Sequence, residues 1–304
     1  MTNLGELNFG AFDKKWKRTD FTPQQLAASE IFDGSKYSTG QRIAQVLLLV
    51  LAGLVVVGFI VLLIVHGIGI STSDVGALLF MAVFFASMMF FARKLNGLNT
   101  RSKLTWLKFA LDNNLTYSAH HLTPPDDARL FKLGDKNSQT IDERIDWPNN
   151  AVELGDFCYA VSGQGGSQTI RLRYFRIKLE RAVPHLILNN RGGLPIFSDE
   201  NVQEIELEGD FNKFFALLAP PDCQVDARQI FTPDVMQTLL NIGKGFDYEL
   251  VGDELYVCFG GGLGGDSAQT KRLFTDINQI ADQIEQNVRF YNSDDQAAIG
   301  TSPQ

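Results

Sequence analysis

Cysteine and histidine are scarce, and neither is spaced for its usual chemistry. Cys158, Cys223 and Cys258 are odd in number and form no C-x-x-C pair. That fits a reducing compartment and unpaired thiols better than a disulfide framework. His120 and His121 are adjacent but lack a Cys, His or acid cluster at zinc spacing, so they read as a solvated loop pair. His185 follows a proline in an extended run and reads as a packing or hydrogen-bonding residue. G-x-S-x-G, H-E-x-x-H and the DxDxDG calcium loop are all missing. No convergent nucleophile, base and metal ligands remain, so the residues name no catalytic, cofactor or metal site and imply no cofactor.

Charge is missing too, over two long stretches. Ile43–Ile70 and Val75–Ala92 contain no Asp, Glu, Lys or Arg. As helices, the apolar runs 43–65 and 75–92 are about 34 Å and about 27 Å long, against a bilayer core of about 30 Å. The pair predicts a transmembrane helical hairpin. The first run begins too far into the chain, and is too long, for a signal peptide. Lys14, Lys15, Lys17, Arg18, Lys36 and Arg42 precede the hairpin; Arg93, Lys94, Arg101, Lys103 and Lys108 follow it. Basic flanks place both termini on the cytoplasmic side of a cell membrane, with the lipid bilayer as the first partner. The runs lack G-x-x-x-G, and nothing in them sets an oligomeric state.

Four segments follow: 1–41, a partly disordered N-terminal stretch; 42–94, the hairpin; 95–292, an α+β domain; and 293–304, a polar tail. In the first, FDKKWKR reads equally as a strip resting on an anionic leaflet or as a solvated tail. Thr22-Pro23-Gln24-Gln25 is a capping box that opens a helix. Thr100–Asn114 has helical spacing and stops at two asparagines. Residues 119–150 read as a long loop with short elements. Ala151 onward predicts antiparallel hairpins packed with helices: one around GQGGSQ, a separate strand Val183–Asn190, and a second hairpin turned at Gly252-Asp253. Thr232 caps a helix running to Asn241 or Ile242, and Ser267–Tyr291 forms the last helix, with Leu273, Ile277, Ile280, Ile284 and Val288 on its apolar stripe. The fold class is therefore a membrane α-helical hairpin plus an α+β domain.

Two features bear on function. Gly260, Gly262 and Gly265 satisfy G-x-G-x-x-G between a strand and a helix, but no further parallel strand follows. Read as a P-loop, the same stretch puts Asp266 where lysine is needed. The loop reads as a linker, with Asp266 and Ser267 capping the helix; a ligand or enzymatic site near Gly260–Gly265 is the alternative. In the preceding hairpin, apolar residues sit at even positions to Tyr174 and at odd ones from Phe175. A β-bulge there restores one apolar face and gathers Arg171, Arg173, Arg176 and Lys178 on the other. Residues 95–304 carry 19 Lys and Arg against 29 Asp and Glu. Such a strip on an acidic body suits lipid headgroups or an acidic protein partner, or it pairs with the domain's own acids; nucleic acid would be repelled.

Several segments carry a resemblance: RAVPHLILNN, IELEGDFNKFFALLAPPDCQVDARQIFTPDVMQTLL and FDYELVGDELYV. With Pro184, His185, Leu207–Phe211, Phe215, Asp226, Ala227, Thr232–Asp234 and Met236 in order, the chain resembles uncharacterised actinobacterial two-span membrane proteins over about residues 40–292. Asn189-Asn190 ends the strand where the family has an Asp. The resemblance implies the two-span architecture and a bacterial origin; the family has no assigned activity. The expected function is a membrane-anchored cytoplasmic interaction or scaffold domain, with a protein partner in a membrane assembly.

Overall fold

Short alternating runs rich in aromatic and branched residues dominate the chain from residue 116 to 260, and they pair into one sheet. The computed structural model describes residues 3–29, 31, 101–119, 122–163, 166–192, 202–260 and 266–290. Among the described residues, seven antiparallel strands form the sheet: β1 (Thr116–Ser118), β2 (Thr140–Asp146), β3 (Val152–Gly163), β4 (Gly166–Asn190), β5 (Gln203–Ile205), β6 (Phe215–Ala219) and β7 (Asp247–Gly260). Their order is β1-β2-β3-β4-β6-β5, with β7 also on β4. The 25-residue β4 is the spine. It pairs with β3 along its first half, with β6 near its end, and with β7 beside both.

Among the described residues, five α-helices accompany the strands. Pro23–Ser29 is α1, residues 101–112 are α2, Gln224–Ile230 is α3, Pro233–Thr238 is α4 and Ser267–Phe290 is α5. The chain divides into two compact units, residues 1–15 with 105–304, and residues 16–104. In the second, Thr22 and Gln25 make the expected capping box on α1, each side chain accepting the other's backbone N–H.

In the first unit both sheet faces are covered, because side chains on a strand alternate. On the front, Phe131 meets Phe157, Tyr174 and Tyr256 edge-on, with ring centroids 5.3, 5.3 and 5.7 Å apart. On the back, Phe274 of α5 meets Phe175 at 5.0 Å and Phe109 of α2 at 5.7 Å. The N-terminal residues join this core: Phe9 contacts Phe109 and Phe274, and Phe12 lies 4.9 Å from the Trp106 ring. Phe12 thus spends its apolar surface inside the unit.

Several expectations change. The β3–β4 register runs without a shift from Val152↔Ile177 to Gly163↔Gly166, so there is no bulge at Tyr174-Phe175. The switch in apolar phase arises because β4 is buried on both faces there; Tyr174 and Phe175 are both fully covered. Val183–Asn190 is part of β4 and not a separate strand. Gly252 does not turn a hairpin. It sits at φ +59° inside a continuous β7, where the eight-residue step from Lys178 to Leu186 lies beside the four-residue step from Glu254 to Leu250.

The fold class itself is corrected. The described residues make a seven-stranded antiparallel sheet with helices, and no helix among them is long and apolar enough to cross a membrane. That finding overturns the membrane hairpin, the multi-pass assignment and the cell-membrane placement with cytoplasmic termini. The runs 43–65 and 75–92, on which those expectations stood, lie outside the described residues. Apolar length is a property of composition, and it does not by itself place a helix in the fold.

Candidate functional site

Residues 119–150 were expected to be a long loop with short elements, and the site is built around one of those elements, the strand β2. In β2, Ile141, Arg144 and Asp146 face Phe157, Gly155 and Glu153 of β3. Those β3 partners alternate, so they share the front face. The step from Ile141 to Arg144 uses one more residue than its partner step, and the bulge sits at Asp142-Glu143. It turns both acids to the back and sends Arg144 forward. Trp147-Pro148-Asn149-Asn150 then closes the turn, with Asn149 at φ +60° and Asn150 at φ +53°, a left-handed geometry that asparagine tolerates.

Beyond the aromatic core, the front face opens into a cleft of about 570 Å³. Its walls include Thr116, Thr123, Arg144, Asp146, Trp147, Asn150, Glu153 and Arg176. The charges are fixed in position. Arg144 Nε donates to Asp146 Oδ2 at 3.0 Å. Arg176 lies between Glu153 Oε2 at 2.9 Å and Glu254 Oε1 at 3.4 Å. Two buried tyrosines anchor those acids: Tyr174 donates to Glu153 at 2.5 Å and Tyr256 to Glu254 at 2.6 Å. Burial, then the neighbouring carboxylates, pushes both phenols above their usual range. Gly155 makes room for this arrangement, since a Cβ there would lie 2.6 Å from the Tyr174 hydroxyl.

The basic strip does not assemble. Arg171 and Arg173 lie on the back and Arg176 and Lys178 on the front, because no bulge reunites them. Each has acid neighbours. Arg171 reaches Asp142 at 3.0 Å and Asp156 at 3.6 Å; Lys178 reaches Asp253 at 3.3 Å. Arg173 grips Asp156 through Nε and through Nη2, the latter at 2.6 Å, beneath the Trp106 ring 5.2 Å away.

Of the two readings offered for His185, packing or hydrogen bonding, the structure shows the hydrogen bond. Its Nε2 lies 2.7 Å from Glu249 Oε1. Glu249 is 0% exposed and also accepts the Arg129 and Leu130 N–H groups at 2.7 and 3.0 Å. The carboxylate thereby pins the 3₁₀ turn Arg129–Lys132, which carries Phe131 into the front core.

The thiols are poorly suited to nucleophilic work. Burial, then Asp142, pushes Cys158 up to about 12. Burial, then Asp222, pushes Cys223 to about 11, and burial raises Cys258 well above the usual thiol range. All three stay protonated near neutral pH. Among the described residues, no group of His, Cys, Asp and Glu could hold a metal ion. Gly260 ends β7, while Gly262, Gly265, His120 and His121 lie outside the described residues. Asp266 does cap α5 as expected, accepting the Gln269 N–H at 2.9 Å.

Of these wall residues only Arg176 was singled out in the sequence; Thr116, Thr123, Arg144, Asp146, Trp147, Asn150 and Glu153 were missed. The available signal was Ile141 and Ile145 flanking a charged stretch, followed by a Trp-Pro-Asn-Asn turn.

No family model and no curated protein matches the chain, so no family-level assignment is supported. Among solved structures, a likeness exists to the mycobacterial trehalose monomycolate transport factor A, TtfA. It has 9% identity, covers 56% of this chain and 89% of that one, and has a TM-score of 0.36. At that score it says nothing about shared activity.

Proposed function

We propose that this chain is a non-enzymatic interaction domain that receives a protein partner in the cleft on the front of its sheet. The observation that carries the reading is the cleft's fixed polar wall. Arg176 is clamped between Glu153 and Glu254, which are held in turn by buried tyrosines. Such pre-organisation lowers the entropy cost of binding. The cleft's volume lies within the range of natural ligand sites, roughly 300–1,000 Å³. Its charged and amide-bearing lining suits peptide groups better than an apolar guest. Protonated thiols and carboxylates committed to guanidinium or backbone partners favour binding over catalysis.

Affinity purification of the full chain tests this, with wild type and Thr123→Trp run in parallel to fill the cleft. One near-stoichiometric protein, retained by wild type and lost by the variant, is expected. A co-purified small molecule with no protein would instead favour a ligand-binding role. A partner held equally by both chains would remove the cleft from the reading.

A further inference from the structure

We infer that the cleft recognises a carboxylate side chain, an aspartate or glutamate on a segment of the partner protein, through the end-on fork of Arg144. This rests on the reading of the cleft as a partner site and names the chemistry it selects.

The inference comes from which hydrogen-bonding groups remain unspent. Arg144 commits Nε to Asp146, and neither of its Nη nitrogens bonds another group among the described residues. Trp147 forms part of the same wall. It is 3% exposed, and its indole N–H is buried without an acceptor among the described residues. That N–H has no solvent-accessible surface, so the indole serves as a reporter of the wall and the reachable donors lie elsewhere. Thr116 and Thr123, both exposed, line the same cleft. The spare donors within reach are therefore the two Nη groups of Arg144, and their complement is an acceptor-bearing group.

Charge narrows the class. Arg144 and Arg176 are balanced within the cleft by Asp146 and Glu153. A phosphate dianion would meet about twice the repulsion from those two carboxylates that a monoanion meets. A carboxylate carries one charge, is planar, and fits the paired Nη donors bidentately. Asp146 also holds the guanidinium plane in place, so less side-chain freedom is lost on contact.

The sequence contains three tryptophans, so the full chain labelled with 5-fluorotryptophan gives three ¹⁹F signals. Trp147 reports the cleft, while Trp16 and Trp106 serve as controls. The probes are the capped peptides Ac-Ala-Glu-Ala-NH₂ and Ac-Ala-Gln-Ala-NH₂ and inorganic phosphate. The expected result is a saturable shift of Trp147 alone with the Glu peptide at millimolar concentration. The Gln peptide and phosphate should bind more weakly, and Arg144→Gln should weaken the Glu peptide by roughly tenfold. Unmoved control signals will show that the variant is folded. If Arg144→Gln does not fold, Arg144→Lys, which keeps the charge and loses the fork, must still bind measurably more weakly. Equal response to the Glu and Gln peptides, tighter binding of phosphate, or indifference to Arg144 substitution overturns the inference. If Thr123→Trp abolishes partner capture while the Glu peptide leaves Trp147 unmoved, the partner site stands and its carboxylate preference falls.

Discussion

Arg173 and Asp156 face each other across β4 and β3 with almost no access to solvent. The pair illustrates how ionised groups are tolerated inside this sheet: two parallel hydrogen bonds satisfy the carboxylate, and an indole face covers the guanidinium. Removing one partner strands a buried charge. Arg173→Ala should therefore destabilise the fold by about 3–5 kcal/mol. Arg173→Met combined with Asp156→Leu should recover most of that loss, because both desolvation costs disappear together. Denaturant unfolding of the three chains measures it.

Asp247 behaves oppositely. It is 6% exposed, and burial raises its carboxyl to about 6 even though the Asn190 N–H opposes the shift. A raised folded-state pKa favours the protonated form. The contribution is fully present below the ordinary aspartate range and is lost as pH rises through about 6. Asp247→Asn keeps an acceptor for Asn190 and removes the titration. The variant should gain stability relative to wild type between about pH 4 and pH 6, reaching on the order of 2–3 kcal/mol and then levelling. Unfolding midpoints across that window check it; a constant difference would remove Asp247 from the account.

Among the elements, α5 was the most legible, and the reasons are local. Its apolar residues recur at helical spacing, and Asp266 precedes the first turn. Asp266→Ala should cost about 1 kcal/mol, read as a lower thermal midpoint. One stripe position was misassigned: Phe274 is fully buried, while Leu273 is only partly so. Thr232 shows a subtler miss. Its backbone carbonyl starts α4, but its hydroxyl accepts from Asn287 of α5 and caps nothing. A tertiary partner outcompeted the local bond, and spacing along the chain cannot reveal that.

Strands were less legible where alternation breaks. In β2 two acids occupy the bulge and hide the alternation of Ile141 and Ile145. In β4 burial on both faces mimics a bulge that is absent. A glycine at positive φ reads as a turn, yet Gly252 accommodates the register change beside β4. A Cβ there meets open space but a left-handed backbone. Gly252→Ala should therefore lose about 1 kcal/mol or more from backbone strain, measured by denaturant unfolding.

At the scale of the whole molecule, the sequence conveyed a helix-and-hairpin domain with unpaired thiols and a net acidic body. The cleft was hidden from it, because the walls come from β1, β2, β3, β4 and two turns. Arg144 and Arg176 are far apart in the chain, and only the β2 bulge puts them on one face. The apolar runs 43–65 and 75–92 dominated the sequence reading, while the described architecture is an antiparallel sheet with helices. Functional inference therefore moves from an address in the cell to a surface on the sheet.

Photo-crosslinking tests that surface most directly. Benzoylphenylalanine replaces Thr123 at the cleft mouth in the full chain, and in a parallel sample replaces the exposed Val225 outside the cleft. The account predicts one crosslinked protein from position 123 on irradiation in cells, lost when Arg144→Gln is added, and none from position 225. The same adducts from both positions, or none from position 123, would contradict it.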